Sequence, residues 1–146
     1  MVTEAEWEYV ARSKGADYTY PWGNEGVSCR YASMEEVENE AGCGQRSTLP
    51  VCSKEEGSTA QGVCDMAGNV WELVQDDWSP NYIDAPQDGS ARCLESSCQG
   101  NSNAVVMRGG SWGDMKIEYF QTTYRTPIGP TYQDGSIGGR LARSIR

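Results

Sequence analysis

Asp65-Met-Ala-Gly-Asn-Val-Trp-Glu72 and Arg108-Gly-Gly-Ser-Trp112 are the two stretches around which this chain is organised. In the first, Gly68-Asn69 is a turn signal, and Val70 to Val74 has the β-branched and aromatic makeup of a strand. In the second, Gly109-Gly110 gives a backbone that reaches positive φ or packs closely where a side chain would not fit. Val105 to Met107 leads into that turn as another short strand; Phe120 to Tyr124 and Ile137 to Leu141 complete the strand candidates. Trp7, Trp22, Trp71, Trp78 and Trp112 read as core bodies, each with one N–H that needs a partner.

Upstream the pattern is helical. Thr3-Glu4-Ala5-Glu6 is a capping box, Trp7, Val10 and Ala11 share one face, and Gly15 is the expected stop, which predicts a helix over 3–14. Ser33-Met34-Glu35-Glu36 offers a second capping box for a short helix ending near Gly42. A helix followed by short strands, with 17 glycines and no internal repeat, predicts a loop-rich α+β chain. At 146 residues it is read as one domain, 1–146.

Composition excludes several chemistries. The chain has no histidine, which removes Ser-His-Asp hydrolysis, histidine-ligated zinc and the facial-triad iron site. A net charge of -9 argues against a nucleic-acid partner. The charge is uneven: residues 1–107 hold 6 basic and 18 acidic side chains, and 108–146 hold 6 basic (Arg108, Lys116, Arg125, Arg140, Arg143, Arg146) and 3 acidic. A basic tail packed on an acidic body is expected, the alternative being a distinct C-terminal surface. No apolar run reaches the ~20 residues of a membrane span, and no charged start with an apolar stretch marks a secretion signal.

Six cysteines fall into three neighbouring pairs, Cys29 and Cys43, Cys52 and Cys64, Cys93 and Cys98. Six permit fifteen connectivities. Nearest-neighbour bridging is expected because each pair brackets a glycine-rich or polar loop without a hydrophobic anchor. The alternative, a thiolate metal site or nucleophile, lacks both ligand-like spacing and a histidine to activate a thiol. Three bridges would favour an oxidising exterior, surface-displayed or virion-associated.

Thr3 to Arg12, Tyr20-Pro-Trp-Gly-Asn24, Asp65 to Glu72, Arg108 to Trp112 and Gly138-Gly-Arg-Leu-Ala-Arg143 occur in this order. The set resembles the formylglycine-generating enzyme (sulfatase-modifying factor) family, which implies a variant of the C-type lectin fold in a minimal version lacking the usual N-terminal portion. The Cys52 to Cys64 stretch is similar to the family's disulfide-bearing variants. Catalysis does not carry over. Formylglycine-forming members use a cysteine pair after Gly-Gly-Ser to bind copper, whereas Ser111 to Phe120 has no cysteine and the last one is Cys98. The related iron-dependent sulfoxide synthases need histidines. The resemblance therefore implies no redox metal and no enzyme. It does imply a calcium site from the side chains of Asp65 and Glu72 with the carbonyls of Gly68 and Val70, an all-oxygen set that suits a hard cation; otherwise Asp65 caps a turn and Glu72 pairs with an arginine.

Arg108 to Trp112, Pro130, Ile137, Gly138 and Arg140 to Arg143 keep the family frame, while Gly139 stands where phenylalanine is usual. Between them the segment departs. That pattern resembles the variable proteins of diversity-generating retroelements, in which the final tens of residues are rewritten to make new binding surfaces; the corresponding variable region here is 108–143. A contact face needs rigid aromatic anchors and adaptable polar groups. Trp112, Asp114, Met115, Lys116, Glu118, Tyr119, Gln121, Thr122, Tyr124, Thr126, Tyr132 and Gln133 are the candidate ligand-binding residues. The expectation is a monomeric, non-catalytic binder of a protein or surface ligand without membrane insertion. A diverged metalloenzyme, or an accessory domain with a fixed partner, is the alternative.

Overall fold

The structure is a computed structural model that describes residues 1–94, 98 and 104–143. One helix, α1 (Glu4–Ala11), precedes strands β1 (Trp71–Asp77), β2 (Val105–Arg108), β3 (Thr126–Ile128) and β4 (Ile137–Gly139). The sheet order is β3-β2-β1-β4. β2 lies antiparallel to both β1 and β3, with Leu73 opposite Met107 and Met107 opposite Thr126. β4 runs parallel to β1, pairing Trp71 with Ile137. The α+β, loop-rich expectation holds.

The capping box of α1 forms as read: the Thr3 hydroxyl accepts the Glu6 N–H, and the Glu6 carboxylate accepts the Thr3 N–H at 2.9 Å. The helix is shorter than predicted. Ser13, Lys14 and Gly15 all take positive φ, and Arg12 Nε donates to the Ala16 carbonyl, so the backbone unwinds a turn before the glycine. Trp7 and Ala11 pack with Val2, Met66, Val74 and Val106 in the core between α1 and the sheet. A second core joins Tyr20, Ala32, Met34, Ala67 and Phe120.

Two sequence expectations fail here. Residues 33–42 are turns and bends, not a helix. Their backbone groups pair with distant segments, which defeats a local ladder: Glu35 N–H donates to the Asp114 carbonyl, and the Ser33 carbonyl accepts the Asn69 N–H. Glu36 accepts from Cys29 N–H instead of closing the box on Ser33. Phe120 to Tyr124 is not a strand either. Ile117–Phe120 form a 3-10 turn that buries Phe120, and Tyr124 N–H closes onto the Gln121 carbonyl.

All three nearest-neighbour bridges are present, Cys29–Cys43, Cys52–Cys64 and Cys93–Cys98. The Gly68 turn requires glycine. Its φ is +80°, and a Cβ there would lie 2.5 Å from the Ser33 carbonyl oxygen. Among the described residues no helix is long and apolar enough to cross a membrane.

Candidate functional site

The frame beneath the C-terminal segment is built from three arginines. Arg108, on β2, has no exposed surface. One of its Nη atoms donates to the Tyr124 carbonyl; the other meets the Glu8 carboxylate and the Thr122 carbonyl, while its plane lies 5.0 Å from the Trp7 ring. Its Nε faces Glu4 Oε1 at 3.6 Å. Arg125 grips both oxygens of buried Glu4, at 2.7 and 2.6 Å, and lies between the rings of Trp78 and Tyr82. Arg140 makes a two-point contact with Glu72, at 2.8 and 2.6 Å. Three of the six C-terminal cations thus pack against acids of the body, as expected from the charge division. Arg146 lies outside the described residues.

The segment after Gly109-Gly110 is pinned at its start. The Ser111 N–H and hydroxyl both donate to Asp114 Oδ2, at 2.9 and 2.6 Å. Trp112 N–H donates to the Asn69 carbonyl, and its own carbonyl accepts from Gly42 N–H. Beyond this the side chains turn outward. Met115, Lys116, Ile117 and Glu118 are exposed. Behind them Tyr119, Tyr124 and buried Trp71 form an aromatic cluster with ring centroids 4.9–6.1 Å apart. Such tilted pairs hold large rings in one geometry. Lys116 lies 5.3 Å from the Tyr119 ring, and its hydrogen bond to Tyr119 holds the ammonium above the ordinary lysine pKa. Burial, then the neighbouring Tyr119, raises Tyr124.

The structure brings together Lys116, Glu118, Tyr119 and Tyr124, with Met115 exposed at the start of the row. Trp112 and Gln121 are half-exposed, Thr126 sits on the edge strand β3, and Tyr132 and Gln133 stand exposed on the β3–β4 connection. Two candidates differ. Thr122 is buried, its hydroxyl donating to the Tyr18 carbonyl and its N–H to that of Thr19, so it fastens the segment and cannot face a ligand. Asp114 commits one carboxylate oxygen to Ser111. One contributor lies outside the sequence candidates, Ile117, an exposed apolar side chain between Lys116 and Glu118. Trp71 is buried, as the core reading expects, and meets the face only through the Tyr119 and Tyr124 rings.

The calcium set does not fit a cation in this arrangement. Glu72 is buried; its oxygens take the Arg140 guanidinium and the Trp7 indole N–H, the latter at 2.7 Å. Asp65 Oδ2 accepts the Cys52 N–H at 2.7 Å, and the Gly68 carbonyl accepts Val70 N–H. The Val70 carbonyl belongs to the same turn.

A cleft of about 360 Å³ lies beside α1, lined by residues including Glu4, Tyr9, Arg12, Asp76, Tyr82 and Arg125. Its carboxylates are already paired: Asp76 accepts the Glu4 and Arg92 N–H groups, and the Tyr82 hydroxyl donates to Glu4. Burial foremost, then the Glu4 charge, pushes the Tyr82 phenol up to about 12.

Residues 1–145 match the model of the sulfatase-modifying factor enzyme 1-like domain. The chain belongs to this family. Formylglycine-generating enzyme from Streptomyces coelicolor is 33% identical over 150 residues, covering 97% of this chain and 46% of that protein. PvdO from Pseudomonas aeruginosa superposes with a TM-score of 0.77 at 34% identity, over 95% of this chain and 50% of the other. Treponema denticola variable protein 1 superposes at 0.71 with 25% identity, over 95% and 45%. The chain spans about half the length of these relatives. Its architecture is the family's variant of the C-type lectin fold, and its cysteines are in disulfides rather than in the segment after Gly109-Gly110-Ser111.

Proposed function

We propose that this sulfatase-modifying-factor-type domain is a non-catalytic ligand-binding module whose contact face is carried by residues 112–133. The observation that carries the reading is the Trp71–Tyr119–Tyr124 cluster, partly open at the surface and rimmed by the exposed Met115, Lys116, Ile117 and Glu118. Rigid rings give a partner apolar area at low entropic cost, and the charged rim sets orientation. One or two such anchors supply most of an interface's energy, each about 2–4 kcal/mol on truncation. The ligand is a protein or cell-surface structure, the chain acts as a monomer, and the three bridges suit an oxidising exterior.

The same face is the diversified region of a retroelement variable protein. Support comes from a segment whose exposed side chains bear little on the frame, and from the likeness to Treponema denticola variable protein 1. The test is the neighbouring DNA and a binding selection. A reverse transcriptase gene beside a near-copy of codons 108–143 differing at adenines is expected, together with loss of binding in Tyr119→Ala and Tyr124→Ala. Absence of the repeat with undiminished binding by both variants would refute the reading.

Identity to the Streptomyces coelicolor enzyme favours a second reading, an oxidase acting on a substrate cysteine. It requires stoichiometric copper or iron and oxygen uptake with a cysteine-containing peptide. Ser111 to Phe120 offers no thiolate or imidazole for either metal, so neither is expected.

A further inference from the structure

We propose that Cys52, Cys64 and Asp65 form a thiophilic metal site, suited to zinc, that opens when the Cys52–Cys64 bridge is reduced. The ligand atoms of these three residues all lie within 4.8 Å of one another, and among the described residues no other group of three or more cysteines and acids does so. Two sulfurs and one carboxylate oxygen are a set that zinc accepts at ~2.0–2.3 Å, with water in the fourth tetrahedral position. Ligand atoms around such an ion stand roughly 3.3–3.8 Å apart, so on reduction the Cys52 and Cys64 sulfurs separate from bonding distance while the Asp65 carboxylate draws in. Cys52 is exposed and Cys64 and Asp65 are half-buried, which lets an ion enter from solvent without opening the core.

A second observation keeps the three residues together once the sulfur–sulfur bond is broken. Arg140 Nη2 donates to the carbonyls of both Cys64 and Asp65, at 3.1 and 3.3 Å. Asp65 Oδ2 in turn holds the Cys52 N–H, leaving Oδ1 for a metal. Neither restraint uses the bridge. The Cys29–Cys43 pair, by contrast, places its sulfurs near the carbonyls of Met34 and Ala32, with no third ligand side chain.

The chemistry balances with an external thiol as reductant. Two thiol equivalents deliver two electrons and two protons to the bridge and leave as a disulfide. A zinc ion then displaces the two protons from Cys52 and Cys64 to solvent and takes both thiolates with the Asp65 carboxylate.

The whole chain is equilibrated in glutathione buffers of graded ratio, with and without zinc, and free thiols are mapped by alkylation and peptide mass. Zinc at about ten times its Kd should shift the Cys52–Cys64 midpoint roughly tenfold toward the dithiol and leave Cys29–Cys43 unmoved. Asp65→Asn keeps the acceptor for the Cys52 N–H and should lose most of the shift. Cobalt should give a thiolate charge-transfer band with the reduced protein and none with the Cys52→Ser/Cys64→Ser protein, which retains the other two bridges. No zinc-dependent shift, an equal shift in both bridges, a full shift in Asp65→Asn, or a cobalt band in the double variant would each overturn the site.

Discussion

Arg108 and Met115 are seven residues apart and live in different physical regimes. Arg108 is wholly buried, held by Glu8, two carbonyls and the Trp7 ring. Met115 is 44% exposed and, with Lys116, Ile117 and Glu118, forms the outer row of the face. The contrast recurs along the segment: Phe120, Thr122 and Arg125 turn inward, Tyr119, Gln121 and Tyr124 are half-buried, and Met115 to Glu118 and Thr123 turn out. Stability and recognition are therefore interleaved by side-chain direction, not separated into domains. A buried arginine is a demanding anchor, because its desolvation is offset only while every partner stays in place.

The contrast is broken most severely by Arg108→Ala, which strands the Thr122 and Tyr124 carbonyls and takes the nearest cation from Glu8, while Glu4 keeps Arg125. A loss of about 3–5 kcal/mol in urea unfolding is expected. Phe120→Ala empties the second core directly under the face and should cost about 3–5 kcal/mol by the same measurement, at the lower end if the loop collapses. Replacing Cys29 and Cys43 by serine should remove about 2–4 kcal/mol, since that bridge closes the loop leading to Met34. Thr122→Val leaves the Tyr18 carbonyl without its donor and should cost about 1–3 kcal/mol.

Asp76 sharpens the comparison through pH. Burial, foremost, raises its carboxyl pKa against the pull of two backbone N–H groups. A raised native value means its contribution is complete below about pH 3.9, the unfolded value, and is lost as pH rises through the native one. Relative to Asp76→Asn, wild-type urea midpoints should fall across that interval. The smallest effect on folding is expected on the face itself. Met115→Ala, Lys116→Ala, Ile117→Ala and Glu118→Ala should each change stability by no more than about 0.5 kcal/mol while weakening ligand binding. A large stability loss in this row would merge the two regimes that the structure separates.

Local signals with a short range proved legible in the sequence. The Thr3 capping box and the three neighbouring bridges involve partners no more than 14 residues apart, where propensity and loop closure decide the outcome. The strands after Gly68 and before Gly109 are legible from their own β-branched makeup, although their pairing, Leu73 opposite Met107, is long-range. The missed features depend on long-range partners. Ser33 to Gly42 carries a good helix-start pattern, yet its N–H and C=O groups are claimed by Asn69, Trp112 and Asp114. Thr122 looked like one more polar residue of the face, because the Tyr18 and Thr19 carbonyls that turn it inward are a hundred positions away. Of the candidate face, the alternation of aromatic and polar residues marks the segment in the sequence, whereas the inward contacts of Thr122 and Asp114 required the packed structure.

The strand order β3-β2-β1-β4 has a mechanical corollary. Residues 129–136 must pass from one edge of the sheet to the other, crossing three interstrand gaps, roughly 14 Å. Eight residues can reach roughly 26 Å, so this strap has slack. The stretch from Gly109 to Trp112 has none, being fastened to Asn69 and Gly42 at Trp112. A change of length is therefore absorbed more easily between residues 129 and 134 than between Gly109 and Trp112, where it would pull Trp112 off Asn69 and Gly42.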